Sequence, residues 1–214
     1  MKNTLRYNPP KEWLGRKGYN HQYFGLVYAC DWLSTIFKNG EASLLEIGSY
    51  KGESTSIFAS TGLFSKITCL EPFEGNEEAL DILDDNWERV KKEFYTNTRH
   101  WDYINLIQEF SYNVVDIFPN KHFDMIYIDA SHKYEDIKSD IDMYLPKCKT
   151  IISGHDYGDQ HPGVKKAVDE IYGPGGIMQG YNPISMFGRG AAGAIDKRMG
   201  NIMQTLQKQA VSNR

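Results

Sequence analysis

The sequence predicts a three-layer α/β/α fold, a doubly wound and mostly parallel sheet with helices on both faces, and three observations carry that reading. Apolar runs of strand length alternate along the chain with segments of helical periodicity, and such alternation calls for parallel strands joined by helical crossovers. Several of the strand-length runs end abruptly in charged or glycine-rich turns, as in Glu46-Ile-Gly48, Glu71-Pro72, Asp129-Ala-Ser-His132 and Gly154-His155-Asp156. The composition, 41% hydrophobic and 24% charged over 214 residues without internal repeat, suits one packed core with short appendages.

Taken in order, Tyr23, Leu26, Val27, Cys30, Leu33 and Phe37 follow helical spacing, and Asn39-Gly40 ends that helix. A strand is predicted at 43–47, a helix at 54–61, a strand at 66–70, and a helix from Asn76 to Tyr95 with its stripe at Leu80, Leu83, Trp87, Val90 and Phe94. Strands follow at 103–110, 123–129 and 150–153, with helices at 135–145 and 164–172. Eight of the 19 glycines lie between Gly173 and Gly200, around the apolar runs Ile177-Met178 and Ile184 to Phe187, which read as a closing antiparallel pair. The final stretch sets Ile195, Met199, Ile202, Met203, Leu206 and Ala210 on one helical face. Docking on its own domain, pairing in a homodimer and disorder all stay open for it.

A net charge of −4 offers no broad basic field, so nucleic acid is not an expected partner. No apolar run approaches a membrane span, and the charged, proline-containing start MKNTLRYNPPKEW does not read as a signal peptide, so a cytoplasmic location is expected. Cys30, Cys69 and Cys148 are scattered, odd in number and without a CxxC pair, and are read as buried small hydrophobes.

Ligands of open α/β sheets bind beyond the carboxyl ends of the strands, so the strand ends hold the candidate chemistry. The first strand runs into Glu46-Ile-Gly48-Ser49-Tyr50-Lys51-Gly52-Glu53-Ser54-Thr55, where two glycines allow a tight turn before a helix N-terminus. This is not the GxGxxG of dinucleotide-binding turns, and an acidic residue two positions before Gly48 suits a ligand bearing an ammonium group. Glu71, ending the second strand, lies near the interval at which a carboxylate meets ribose hydroxyls. The ends of the fourth and fifth strands add Asp129 and His132, then His155 and Asp156. Their oxygens would suit a hard cation such as Mg²⁺, a third imidazole or a thiolate would be expected for zinc, and the same groups could act as acid and base without metal. His21, His100, His122 and His161 are read as surface or capping residues, Glu135, Asp136, Asp140 and Asp142 as the solvated face of a helix, and Asp124 as the start of a strand.

In order and spacing, Glu46-x-Gly48-x-x-x-Gly52-x-Ser54-Thr55, Glu71, Ile128-Asp129-x-x-His132-x-Tyr134-Glu135 and His155-Asp156 resemble the small, stand-alone class I S-adenosylmethionine-dependent methyltransferases related to macrocin and catechol O-methyltransferases. The resemblance covers about 41–172 and is most specific from Asp129 to Asp156. It implies a Rossmann-like sheet of seven strands with the last antiparallel, and S-adenosylmethionine held by Glu46, Gly48, Ser49, Tyr50, Gly52, Ser54 and Thr55 at its methionine end. It further implies Glu71 and Pro72 at the ribose, Phe110 and Ser111 near the adenine, and Asp129 also lining the cofactor site. Metal-dependent relatives hold Mg²⁺ at the ends of strands four and five, which maps to Asp129 and Asp156, although this chain has His155 where those relatives carry an acidic or amide ligand.

The implied reaction is methyl transfer to an oxygen of a small-molecule acceptor, with a sugar or aromatic hydroxyl in view, His132 as general base, and Asp129 and His155 beside it. The expected organisation is a helical lead and substrate cap at 1–40 including Tyr19 and Tyr23, a cofactor-binding domain at 41–190, and a terminal helix or tail at 191–214. Three competing readings are a nicotinamide-dependent oxidoreductase, a metal-dependent hydrolase or hydroxylase-like enzyme, and a non-catalytic module that binds the same cofactor.

Overall fold

The computed structural model describes residues 26, 30, 33–75, 86–173 and 184–187. Leu26, Cys30 and Leu33 are helical and buried, as the 3.6-residue stripe requires. The chain then forms β1 (Ala42–Ile47), α1 (Glu53–Ser60), β2 (Phe64–Leu70), α2 (Trp87–Thr98) and β3 (Ile104–Ile107). A short α3 (Ser111–Val114) continues into a 3-10 turn at Val115–Ile117, followed by β4 (Phe123–Ile128) and α4 (Tyr134–Tyr144). A second 3-10 turn (Leu145–Lys147), β5 (Cys148–Gly154), α5 (Pro162–Tyr172) and β6 (Ile184–Phe187) complete the described elements.

The six strands lie in the order β3-β2-β1-β4-β5-β6, and every neighbouring pair is parallel. Strand alternation divides the core in two. Leu44, Met125 and Ile151 face α1 and α2 through Ile57, Phe58, Val90 and Phe94, together with the helical residues Leu26, Cys30 and Leu33. Their chain neighbours Leu45, Ile126 and Ile152 face α4 and α5 through Ile137, Ile141, Tyr144, Val164 and Val168. A strand covered on both faces reads as a continuous apolar run, and β4, Phe-Asp-Met-Ile-Tyr-Ile, is buried throughout. Its one charged residue, Asp124, is satisfied at the start of the strand by the Ser43 N–H (2.9 Å), the Ser43 hydroxyl (2.8 Å) and Lys149 (3.0 Å).

Two expectations are corrected here. Seven strands with an antiparallel last strand are not found among the described residues, because Ile184–Phe187 pairs in parallel with β5 from Ile151↔Ile184 to Gly154↔Phe187. The helix α5 lies between the two strands in sequence, the arrangement of a helical crossover between parallel neighbours. Ile177 and Met178, the expected hairpin partners of β6, fall outside the described residues. The helix expected from Asn76 is described from Trp87, where the Asn86 side chain accepts the Arg89 N–H (2.9 Å) as an N-cap, while 76–85 lie outside the description. The lead at 1–25 and the tail at 188–214 also lie outside it.

The sheet order reverses between β1 and β4, where both strands turn away from the core side by side. Gly48, directly after β1, adopts φ +84°, and a Cβ there would stand 2.3 Å from the Asp129 carbonyl oxygen and 2.7 Å from the Ala130 Cα. Gly48→Ala is therefore expected to destabilise the protein by about 3 kcal/mol, combining overpacking with left-handed strain. Urea unfolding of the two proteins measures this, and a loss below about 0.5 kcal/mol would contradict the close approach.

Candidate active site

The turn after β1 is organised by carboxylates beneath it. Glu46 is fully buried and receives hydrogen bonds from the hydroxyls of Ser49 (3.0 Å), Ser54 and Thr55, with the Cys69 thiol at 3.7 Å. Burial pushes its carboxyl up to about 7, and the three hydroxyls only partly offset this. Its role differs from the expected one: both carboxylate oxygens face the protein's own hydroxyls, so Glu46 shapes the turn from inside and is not exposed to an ammonium group. The hydroxyls of Ser49, Ser54 and Thr55 are likewise turned inward, and Gly52 caps α1 with its N–H donating to the Ser49 carbonyl (2.7 Å).

Glu71, at the end of β2, is the second tether. One oxygen accepts the Tyr50 N–H (2.7 Å) and the other the Phe73 N–H (2.9 Å), joining the turns after β1 and β2. Both donors sit at positive φ, Tyr50 at 44° and Phe73 at 55°, so the carboxylate secures two turns that L-residues seldom adopt. Burial raises its carboxyl above the usual range. The Ser49 backbone N–H also bears on this carboxylate, which with about four acceptor sites keeps room for a further hydrogen bond. Pro72 continues this edge, its carbonyl accepting from Gln108 Nε2 (3.3 Å). Phe110, after β3, lies against Gly75, where a Cβ would come within 3.2 Å of the ring, and stacks on the exposed Tyr112 (centroids 5.2 Å, planes 12° apart). The Ser111 hydroxyl is directed away from this edge, to Asp140 of α4 (2.5 Å).

Beyond β4 and β5 the side chains gather around Asp156. His132 Nε2 lies 2.8 Å from Asp156 Oδ2, His155 Nδ1 lies 3.0 Å from Oδ1, and His161 Nε2 lies 3.5 Å from Oδ1. Asp129 Oδ1 is 3.8 Å from His155 Nδ1, and the buried Tyr127 hydroxyl also bonds the Asp129 carboxyl. Burial acts to raise Asp156, yet the hydrogen bonds and charges of His132 and His155 hold its carboxyl well below the usual range. Burial pushes Asp129 up to about 6 against the pull of His155. His155 is held at about 8, with burial outweighed by Asp156 and Asp129, and the bond to Asp156 raises His132. His132 is the open member, its side chain 46% exposed against 16% for Asp156.

A family model described as a methyltransferase domain matches residues 45–157, more than half of the chain, from the glycine turn through Asp156. The chain belongs to the class I S-adenosylmethionine-dependent methyltransferases. Solved structures that this methyltransferase resembles include the O-methyltransferase TomG of Streptomyces achromogenes, involved in tomaymycin synthesis and solved with S-adenosylmethionine. The two are 13% identical with TM-score 0.42, covering 62% of this chain and 52% of TomG. A candidate caffeoyl-CoA O-methyltransferase of Staphylococcus aureus is 22% identical with TM-score 0.41, covering 59% of this chain and 53% of that one. The chain thus spans about half the length of these proteins. A comparison with curated proteins finds no match. Among the described residues no helix is long and apolar enough to cross a membrane.

The strand ends bring together Asp129, His132, His155 and Asp156 as the sequence suggests, while the reading of His161 is incomplete and that of Asp140 fails. His161, read as a surface or capping residue, is the N-cap residue of α5, and beyond that reading it joins the cluster with its ring 4.3 Å from that of His132. The cause is Gly163, where a Cβ would lie 2.3 Å from the His132 carbonyl oxygen, so the first turn of α5 presses against the backbone after β4. Asp140, read as solvated, is 5% exposed, and burial raises its carboxyl to about 6 despite the Ser111 bond. A glycine directly after a His-Pro pair was the available signal for the first. The i+3 and i+4 spacing of Asp140 from Ile137 and Tyr144, both buried, was the signal for the second. The three cysteines are buried and unbridged, as expected.

The raised carboxyl of Glu46 makes a pH-dependent stability prediction. Between its ordinary value of 4.5 and about 7, the folded protein holds this proton more tightly than the unfolded chain, so stability falls as pH rises across that window. On going from about pH 5 to about pH 8, the wild type is expected to lose up to about 3 kcal/mol more than Glu46→Gln in urea unfolding. Parallel pH profiles of the two proteins would contradict the assignment.

Proposed function

We propose that this methyltransferase moves the methyl group of S-adenosylmethionine to an oxygen of a small-molecule acceptor, with His132 as general base. The observation that carries the reading is the 2.8 Å contact of the exposed His132 with Asp156, beside the turn where β1 and β4 part. The methionine end of the cofactor is assigned to the turn Glu46 to Thr55, through its backbone and not through the Glu46 carboxylate. Glu71 keeps room to accept from the ribose hydroxyls, Pro72 borders them, and the Phe110 ring supplies a face for the adenine. Ser111 serves this pocket through its backbone position, since its hydroxyl is bound to Asp140. Residues 1–40 would cap the acceptor, 41–190 form the cofactor domain, and 191–214 follow as a terminal helix or tail.

In the transfer, a lone pair of the acceptor oxygen attacks the methyl carbon in line with the carbon–sulfur bond. That bond breaks with its electrons passing to sulfur, leaving S-adenosylhomocysteine, while the acceptor proton passes to His132. The bond to Asp156 places the imidazole proton on Nε2, so Nδ1 carries the accepting lone pair. Asp156 orients the ring and stabilises the imidazolium that forms, while Asp129 and His155 complete the charged floor.

Mg²⁺ on Asp129 and Asp156 is a poor fit to this floor. Mg²⁺ takes oxygen ligands and retains waters, whereas each of these carboxylates faces at least one imidazole nitrogen and three imidazoles surround Asp156. No step is assigned to Mg²⁺.

Calorimetric titration with S-adenosylmethionine and S-adenosylhomocysteine tests the cofactor site. Micromolar binding is expected for wild type, weakened about 10-fold or more in Glu71→Ala with the fold checked by circular dichroism. No binding by wild type would overturn the proposal. For the chemical step, His132→Ala is expected to lower kcat about 10²- to 10⁴-fold on an identified hydroxyl acceptor without loss of cofactor affinity. Unchanged kcat would remove His132 from the role, and absence of transfer to every hydroxyl acceptor would favour a non-catalytic module.

A further inference from the structure

A buried polar contact joins α4 to the segment after β3. The Ser111 hydroxyl donates to Asp140 Oδ1 (2.5 Å), and the Ser111 carbonyl accepts from the Tyr144 hydroxyl (2.7 Å). Asp140 and Tyr144 stand four residues apart on one face of α4, 5% and 0% exposed, so a single helix grips Ser111 at its side chain and at its backbone. We propose that Asp140, with Tyr144, is a positioning residue for the adenine end of S-adenosylmethionine, holding Ser111 and through it the Phe110 ring in place for the base.

Nothing local fixes this segment. α3 spans four residues, too short to be stable as a helix by itself, and Val114 is its one buried residue. Phe110, at its N-cap, is extended (φ −66°, ψ 146°) and supplies no side-chain cap. The ring of Phe110 meets Gly75 and stacks on Tyr112. Both neighbours are exposed, so neither ties the ring to the core. The tie is the grip on Ser111, one residue further along the chain.

A carboxylate is a costly choice for a position that only fills space. Burial pushes Asp140 up to about 6, the Ser111 bond offsets part of this, and Asp136, one turn earlier on α4, adds to it. An apolar side chain of similar volume would avoid that cost. What the carboxylate adds is a short, directional bond that selects one Ser111 rotamer. The same helix starts directly after the Asp129–His132 segment, where Asp136 accepts from the Ser131 hydroxyl (2.7 Å), so α4 sets both that segment and the Phe110–Ser111 edge. The inference rests on the cofactor placement proposed above.

The test is calorimetric titration of the full-length protein and its variants with S-adenosylhomocysteine and with 5′-methylthioadenosine, which keeps adenine and ribose but lacks the amino-acid end, beside urea unfolding of each variant. Asp140→Leu is expected to be as stable as wild type or more so, yet to bind both ligands about 10-fold more weakly. Asp140→Asn, whose amide oxygen can still accept from Ser111, is expected to stay within about 3-fold of wild-type affinity. Ser111→Ala removes the donor and covers the case in which Asp140→Leu fails to fold; it is expected to match the Asp140→Leu loss, and the double variant to add nothing further. Unchanged affinity in Asp140→Leu and Ser111→Ala, a loss confined to S-adenosylhomocysteine, Asp140→Asn as weak as Asp140→Leu, or a loss of affinity seen only alongside a matching loss of stability would overturn the role alone. No binding by wild type would overturn it together with the cofactor placement.

Discussion

The close approach of Gly48 to the backbone of Asp129 is the constraint on which the rest of the site depends. β1 and β4 are hydrogen-bonded neighbours up to Ile47↔Ile128, and the Asp129 N–H still donates to the Ile47 carbonyl (2.8 Å) after both strands have ended. Beyond that point one chain turns into the glycine loop and the other into the Asp129–His132 segment. Any side chain at residue 48 would force the two apart, because the Asp129 carbonyl occupies the space a Cβ needs. The glycine turn and the carboxylate–imidazole cluster can lie side by side in this sheet because its order reverses there and the contact at the reversal is backbone on backbone.

Buried carboxylates then shape the strand ends. Glu46 gathers three hydroxyls below the first turn, and Glu71 ties that turn to the one after β2 through two backbone N–H groups. Both carboxyls are raised by burial, which means that water is largely excluded and that the hydrogen bonds holding the turns are made in a low-dielectric setting. Asp156 lies at the other extreme, its charge favoured by His132 and His155. The strand ends are therefore graded, with carboxyls raised by burial beneath the turn after β1 and a carboxylate–imidazole cluster beyond β4 and β5.

Much of this was legible in the sequence. Alternating apolar runs identified the strands β1, β2, β4 and β5, because a buried parallel strand has no polar face to break the run. Glycine spacing and strand-end acids located the two turns and the four cluster residues Asp129, His132, His155 and Asp156. Less legible was the short strand β3, only four residues with none fully buried, where a longer run through Phe110 was expected. The parallel direction of β6 belongs to the crossover through α5, which no local pattern encodes.

By itself the sequence determined the layered α/β class, the switch-point turn and the family, since these follow from periodicity and from residue types at fixed spacing. Only the tertiary structure decided what each polar group faces. It turned Glu46 inward, directed Ser111 to Asp140 across α3 and α4, and brought His161 to Asp156 through the contact of Gly163 with His132. The physical reason is that side-chain partners across separate elements are set by how closely helices and turns pack, at distances of an ångström or less that spacing along the chain does not specify.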